Sequence, residues 1–405
     1  MATENKKYIP ALRFPEFQND GEWNYEYGNM LYDSIVNKKH KSDLPILAIT
    51  QDNGAIPRDE INYRVIVNDK SIEGYKIVEI GDFIISLRSF QGGIEYSRYK
   101  GLCSPAYIVL RKKHSKICDD FYRHYFKSFQ YIQALNRNLE GIRDGKMVSY
   151  KQFSDIKLPC PSLAEQKKIA DCLSSLDKYI DATKRKLELL KDHKKGLMQC
   201  LFPAKGKTTP ELRFPEFQND GEWNYEHGDM LYDSIVNKKH KSDLPILAIT
   251  QDNGAIPRDD INYRVVVENK SIEGYKVVEV GDFIISLRSF QGGLEYSRYK
   301  GLCSPAYIVL RKRHSKICDD FYRHYFKSFQ YIQELNRNLE GIRDGKMVSY
   351  KQFADIKLPN PCYEEQCKIA KVLSSIDDVI QIHIEKISAL ELHKNGLMQQ
   401  LFPKL

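Results

Sequence analysis

Two stretches of the chain carry apolar residues at alternating steps of four and three. The first runs Ile169, Leu173, Leu176, Ile180, Leu187, Leu190, Leu197 and Leu201, with Thr183 and Lys194 in the gaps. The second runs Ile369, Leu373, Ile376, Ile380, Ile387, Leu390, Leu397 and Leu401, with His383 and Lys394 in the gaps. A 3.5-residue period held over about five heptads predicts a coiled-coil seam. Pro159 and Pro161 stop the structure before the first stripe and place its helix start near Ala164–Glu165. Such a helix spans about 55 Å at ~1.5 Å per residue. A helix packed only on its own globular domain would carry a similar stripe. Two stripes of equal length in one chain favour pairing with each other, as a rigid spacer.

Ahead of each stripe the pattern changes to short β-rich runs: Leu44–Thr50, Ile61–Val67, Tyr75–Ile80, Phe83–Leu87 and Ala106–Arg111, punctuated by Gly, Asn, Asp and Pro. Asp119 and Asp120 then predict the cap of one helix carrying Phe121, Tyr125, Phe126, Phe129, Ile132 and Leu135, followed by a loop through Gly141–Gly145.

The same succession occurs twice. LRFPEFQNDGEWNYE starts at Leu12 and again at Leu212, and LFP closes both copies at Leu201 and Leu401. Pro10–Pro159 and Pro210–Pro359 differ at 13 positions, whereas Cys160–Pro203 differs from its counterpart at 22 of 44. The first part of each copy performs one task twice; the second part has diverged while keeping its apolar pattern. A period this long predicts tandem globular domains rather than a solenoid, whose units are about 20–50 residues.

Composition narrows the class of protein. The start MATENKKYIP is polar and no run approaches the ~18 apolar residues of a membrane span, which predicts neither secretion nor membrane insertion. Nine cysteines without a CxxC pair predict free thiols in a reducing cytoplasm. A formal charge of +8, with 26 Tyr and 18 Phe interleaved with Lys and Arg, suits a polyanionic partner.

Candidate chemistry lies in the duplicated part. SLRSFQGG, Ser86–Gly93, sets Arg88, Ser89 and Gln91 around an aromatic and two glycines directly after an apolar strand. Arg, Gln and Ser can read base edges. Arg98, Tyr99, Arg143 and Lys146 join them as candidate DNA contacts, and Lys38 and Lys39 suit phosphates or form a solvated face. The second copy supplies Lys238, Lys239, Arg288, Ser289, Gln291, Arg298, Tyr299, Arg343 and Lys346.

Catalytic and metal readings are weaker. Asn360-Pro361-Cys362-Tyr363 is a faint match to an adenine methyltransferase motif, but the first copy has Cys160-Pro161-Ser162-Leu163 and no glycine-rich cofactor loop follows a strand. Asp259 with Glu268 and Lys270 could be forced into a nuclease site, but the first copy has Asn68 in place of the glutamate. Cys103, His114, Cys118 and His124 fit no common zinc spacing. Gly141–Lys146 is too short for a phosphate-binding P-loop.

The residues that remain carry a family resemblance. LRFPEF at Leu12–Phe17, the Gly81–Asp82 turn, SPAYIVLR at Ser104–Arg111 and above all KLPCPSLAEQKKIADCLSSLDKYI at Lys157–Ile180 resemble half of a specificity subunit of type I restriction-modification systems. The junction recurs as KLPNPCYEEQCKIAKVLSSIDDVI at Lys357–Ile380, and the resemblance covers essentially the whole chain.

The resemblance implies an α+β protein in which two mixed α/β target-recognition domains, 1–160 and 204–360, alternate with two long spacer helices, 161–203 and 361–405, that form an antiparallel coiled coil, the whole a pseudo-two-fold internal repeat. It implies binding to double-stranded DNA, two methyltransferase partner subunits that hold S-adenosylmethionine, further restriction subunits, and no cofactor or catalysis in this chain. The alternatives are a methyltransferase or nuclease with its own site, or a coiled-coil scaffold that binds no DNA.

Overall fold

The computed structural model describes residues 8–40, 43–60, 72–86, 89–137, 148–240, 243–260, 269–286, 289–337 and 348–403. The chain divides into two compact units, Met1–Lys184 with Glu385–Leu405, and Arg185–Ile384. The divisions fall inside the two long helices, so each unit contains a domain, the start of that domain's own helix and the end of the other repeat's helix.

Among the described residues of the first unit, ten short strands surround an aromatic core. They are β1 Asn24–Tyr27, β2 Tyr32–Ile35, β3 Leu47–Thr50, β4 Gly54–Pro57, β5 Lys76–Val78, β6 Phe83–Ile85, β7 Glu95–Tyr96, β8 Gly101–Cys103, β9 Ile108–Lys112 and β10 Lys157–Cys160. An antiparallel sheet takes the order β2-β9-β6-β7, while β3–β4, β5–β8 and β1–β10 form two-stranded pairs. β6 reads Phe-Ile-Ile and is buried along its whole length. Phe83 and Ile85 enter the main core, while Ile84 enters a smaller cluster with Leu47, Ala55 and Val109. The alternation of faces along a strand therefore decides which side chain serves which core.

The expected single helix after Asp119 is two helices, Asp119–Tyr125 and Phe129–Arg137. Cys118 holds the cap position, and Asp119 and Asp120 occupy the first turn, where negative charge suits the helix dipole. The interruption has a packing cause. Gly93 has φ +81° and lies so close to the Phe126 carbonyl that a Cβ there would be 1.9 Å from its oxygen. The chain restarts at Ser128, whose hydroxyl accepts from the Tyr131 amide at 3.3 Å. The sequence pattern also misses β1, β2, β4, β7 and β8, which are too short to show a period of their own. The expected run Ile61–Val67 and the loop Gly141–Gly145 lie outside the described residues.

Both long helices contain 39 residues, Leu163–Leu201 and Tyr363–Leu401. Every position of the predicted stripes, gap residues included, is buried or half-buried. In the first unit the two helix segments run antiparallel: Asp177 pairs with Lys394 at 2.5 Å, and Lys184, further along, pairs with Glu391 at 2.6 Å. In the second unit Lys194 pairs with Asp377 at 2.5 Å. The lysines that interrupt the apolar stripes are thus each matched to an aspartate of the facing helix.

The helix starts are tied to their domains by buried polar contacts. Arg13 grips Glu165 with two 2.8 Å hydrogen bonds, the side chains being 7% and 1% exposed. Gln166 accepts from the Cys118 amide at 2.9 Å and donates to the Pro161 carbonyl at 2.9 Å. These bonds explain why an arginine in the LRFPEF segment accompanies the Glu-Gln helix start, and Arg213 with Glu365 repeats the fork.

The helix ends complete the cores. Phe402 packs edge-on against Phe121 and Tyr125 at centroid distances of 5.5 and 5.3 Å, with Leu401 and Met398 beside it. Phe202 does the same against Phe321 and Tyr325 at 5.5 and 5.3 Å. Gln130 fastens the first of these ends by donating to the carbonyls of Gln399 and Phe402.

Such a closure is open to test by substitution and by truncation. Phe402→Ala removes a buried aromatic and should destabilise the first unit by about 3–5 kcal/mol, read as an earlier denaturant transition, with Phe202→Ala doing the same to the second. Residues 1–204 expressed alone should form a dimer in sedimentation equilibrium, since each copy carries a helix end that only another copy's domain can receive. A folded, strictly monomeric 1–204 would contradict this reading of the core.

Candidate nucleic-acid interface

The surface of interest is built on β6 and on the turn at its C-terminal end. That turn closes when the Ser86 amide donates to Ser89 Oγ at 2.8 Å, and Ser89 is 1% exposed. The short helix Ser89–Gly92 then presents Gln91 to solvent. Gly92 lies against the Gln51 side chain, where an added Cβ would come 2.6 Å from Nε2. Gly54, at φ +71°, lies against the Tyr96 carbonyl in the same way, 2.4 Å from an added Cβ. The β3–β4 hairpin, the 89–92 turn and β7 are therefore in backbone-close contact. Beyond β7, Ser97 donates to the Tyr99 carbonyl at 2.7 Å and holds Arg98 and Tyr99 outward.

A cleft of about 860 Å³ lies within the first unit, between this surface and the helix segments. Gln51, Asn53, Arg98 and Tyr99 line one side; Lys184 and Lys394 line the other. Its charge is mixed rather than basic. Lys184 is paired with Glu391, Lys394 with Asp177, and Lys127 with Glu95 at 2.5 Å. Arg98 makes no ion pair among the described residues, which leaves its guanidinium available to a phosphate or base edge.

Two buried titratable groups lie at the cleft floor. Burial pushes the Glu95 carboxyl up to about 7, with Lys127 opposing. Burial, and then the neighbouring Arg123, holds the His124 imidazole down to about 3, so this histidine is neutral in the folded state near pH 7. Its Nε2 lies 3.1 Å from Ser174 Oγ, which also accepts from Arg123 at 3.0 Å. This network fastens the domain to its helix. Among the described residues no His, Cys, Asp and Glu group could hold a metal ion, and no described helix is long and apolar enough to cross a membrane.

The residues singled out in sequence divide into four groups. Arg98 and Tyr99 meet in the cleft wall, with Gln91 on the adjoining turn, and Arg298, Tyr299 and Gln291 are likewise exposed in the second unit. Ser89 and Ser289 are buried and spend their hydroxyls on the turn, so neither faces a ligand. Lys38, Lys39, Lys238 and Lys239 are exposed. Lys38 and Lys39 belong to the loop that packs over β5, where Asn37 accepts from the Ile77 amide, and they do not line the cleft. Arg88, Arg143, Lys146, Arg288, Arg343 and Lys346 lie outside the described residues. Sequence reasoning missed Gln51, Asn53 and Lys127. The Asp-Asn-Gly at 52–54 signals a hairpin turn, and that signal was the one available.

The architecture defines a duplicated α+β recognition module whose domains are each completed by an antiparallel helix end. The family model for the type I restriction modification DNA specificity domain matches residues 16–192 and again 201–392, and the chain belongs to this family. It is 29% identical over 392 residues to the MjaX type I restriction enzyme specificity subunit of Methanocaldococcus jannaschii, covering 90% of this chain and 87% of that protein. It is 27% identical over 345 residues to the MjaVIII specificity subunit of the same organism, covering 80% and 79%. A type I restriction-modification S subunit from M. genitalium shares the fold, with a TM-score of 0.55 at 15% identity, covering 98% of this chain and 100% of that one.

The titrating groups make a stability prediction. His124 takes up a proton in the unfolded chain near its ordinary 6.5 but in the folded chain only near 3, so its contribution is lost as pH falls through that window. His124→Gln with His324→Gln should flatten the acid-side fall in stability, measured by urea unfolding between pH 6.5 and 4. Glu95 has the opposite sign: the folded carboxyl keeps its proton up to about 7 and the unfolded one to 4.5, so stability is lost as pH rises between them. Glu95→Gln should therefore gain relative to the parent over that interval. Slopes identical to the parent's would contradict the burial of these groups.

Proposed function

We propose that this chain is the sequence-reading specificity subunit of a type I restriction-modification complex, and that it reads two half-sites of double-stranded DNA that are inverted copies of each other. The observation that carries the reading is the family match over both repeats, together with domains that differ at only 13 of 150 positions. Equal reading surfaces take equal half-sites. Orientation follows from the helices: each unit pairs the start of one with the end of the other, running antiparallel, and the Asp177–Lys394 pair of the first unit recurs as Asp377–Lys194 in the second. Two-fold symmetry in a protein is mirrored in the symmetry of its site.

On this reading the chain contributes recognition and no chemistry. Two methyltransferase subunits, one for each equivalent unit, bring S-adenosylmethionine, and restriction subunits join them in the cytoplasm. The purified chain neither methylates nor cuts DNA; adenine methylation appears when a partner methyltransferase subunit and S-adenosylmethionine are added. Sequencing of methylated bases in a strain carrying the complex should return an interrupted palindrome. Removing one heptad from both helices should shorten or abolish the preferred gap. Two unrelated half-sites, or two in direct orientation, would overturn the inverted-site reading, and robust activity of the chain alone would overturn the division of labour.

A further inference from the structure

Lys127 is a cation at the cleft whose charge is turned inward. Its Nζ donates to Gln51 O at 3.1 Å, Gly92 O at 2.9 Å and Glu95 Oε1 at 2.5 Å. These acceptors belong to the β3–β4 hairpin, the 89–92 turn and β7. In the second unit Lys327 donates to Gln251 O at 3.1 Å and Glu295 Oε1 at 2.7 Å. The hairpin is also fixed by a parallel bridge between Ala55 and Ser97 and by the Gly54 and Gly92 approaches. One ammonium thus sets the hairpin tip against the turn that carries Gln91.

The tip itself is Gln51, Asp52 and Asn53, all exposed. Its backbone turn is served by Thr50, whose Oγ1 donates to Gly54 O at 3.0 Å and accepts from the Asn53 amide at 3.1 Å. The amide side chain of Asn53 makes no hydrogen bond among the described residues. Asn and Gln amides donate and accept side by side, the pattern an adenine edge matches, and a two-stranded ribbon has the width to enter a major groove. Gln51 and Asn53 line the same cleft wall as Arg98 and Tyr99.

Resting on the specificity-subunit reading, we propose that the hairpin tip Gln51–Asn53 is a second base-reading element beside Gln91, and that Lys127 is the positioning residue that holds the two in register. A lysine serving as a phosphate contact would point its ammonium outward; this one spends its donors on two carbonyls and a carboxylate of the protein. Replacing it with an uncharged side chain leaves a buried carboxyl and two carbonyls without their shared donor, so the tip loses its setting while the surface charge at the duplex changes little.

The duplication supplies an internal control. Asn53→Ala, Lys127→Met and Lys127→Arg are made in the first repeat alone of the full-length chain. Each is assembled with its methyltransferase subunits and used to select duplexes from a randomised DNA pool. The parent should enrich two equal half-sites. Asn53→Ala should relax one half-site by about 5- to 150-fold at one or two base pairs, the scale of one lost bidentate contact, and leave the other intact. Lys127→Met should relax the same base pairs with an unchanged salt slope, and Lys127→Arg should restore part of the discrimination. Asn53 is exposed, so its variant reports even where Lys127→Met unfolds. Half-sites unchanged by Asn53→Ala would overturn the reading role of the tip. A sequence-independent loss in Lys127→Met, with a salt slope lowered by about one, would make Lys127 a phosphate contact and overturn the positioning role. Failure of the parent to enrich any sequence would instead sink the specificity-subunit reading itself.

Discussion

Neither repeat can close its own hydrophobic core. The ring that seals Phe121 and Tyr125 is Phe402, at the end of the helix that begins in the second repeat, and the ring that seals Phe321 and Tyr325 is Phe202. Burial of a full aromatic side chain is worth several kcal/mol, so the helices must be long enough, and run in the right direction, to deliver these ends. The constraint also explains where the repeats have diverged. The final eight residues of the first helix region, 196–203, differ from 396–403 at Cys200 alone, because both ends dock on nearly identical domains. The stretch 176–192 faces no such demand and carries most of the differences. There the seam needs only apolar volume at stripe positions, which Leu, Ile and a few polar substitutes supply equally.

The antiparallel direction is written in charge as well as in apolar packing. Lys194 and Lys394 occupy stripe positions where an ammonium is costly unless matched, and Asp377 and Asp177 match them. The gaps were legible in the sequence as polar interruptions. Their partners were not, since each lysine meets an aspartate from the other copy, close to 200 residues away. A parallel register would not bring these residues opposite one another. The same reasoning separates the helix starts from the helix centres: Glu165 and Gln166 are engaged by Arg13, Cys118 and Pro161, so the Glu-Gln signature is a structural joint between domain and helix.

Within the domains the sequence exposed the long patterns and hid the short ones. A two-residue strand such as Glu95–Tyr96 has no period to detect, and the split of the expected helix at Phe126–Ser128 depends on a glycine more than thirty residues earlier. The SLRSFQGG segment was rightly notable, but for a reason that differs residue by residue. Its glycines serve close packing against Gln51 and Phe126, and Ser89 closes the turn from inside, which leaves Gln91 as its described, exposed polar side chain. Conversely, Gln51, Asn53 and Lys127 look unremarkable in a linear reading. They acquire meaning when the hairpin folds back onto the turn.

Whether the two units read alike depends on where the 13 differences fall. Tyr27 and Asn29 sit at β1 and the short turn after it, and Ala134 packs at the edge of the core; none lines the cleft. Gln51, Asn53, Gln91, Arg98, Tyr99 and Lys127 are all matched by the same residue 200 positions on. Two of the 13 do line the cleft: Ile94, which Leu294 replaces as a buried apolar side chain of the core, and Glu60, which accepts from the Tyr99 hydroxyl at 3.3 Å and which Asp260 replaces with a side chain one methylene shorter. That contact is exposed and weak by its length, and it orients a phenol rather than an amide or guanidinium. Its loss would loosen one ring without altering the amide and guanidinium groups on the cleft wall. The proposed equality of the two half-sites rests on identity of the donors and acceptors on this cleft wall rather than on identity of the sequence at large.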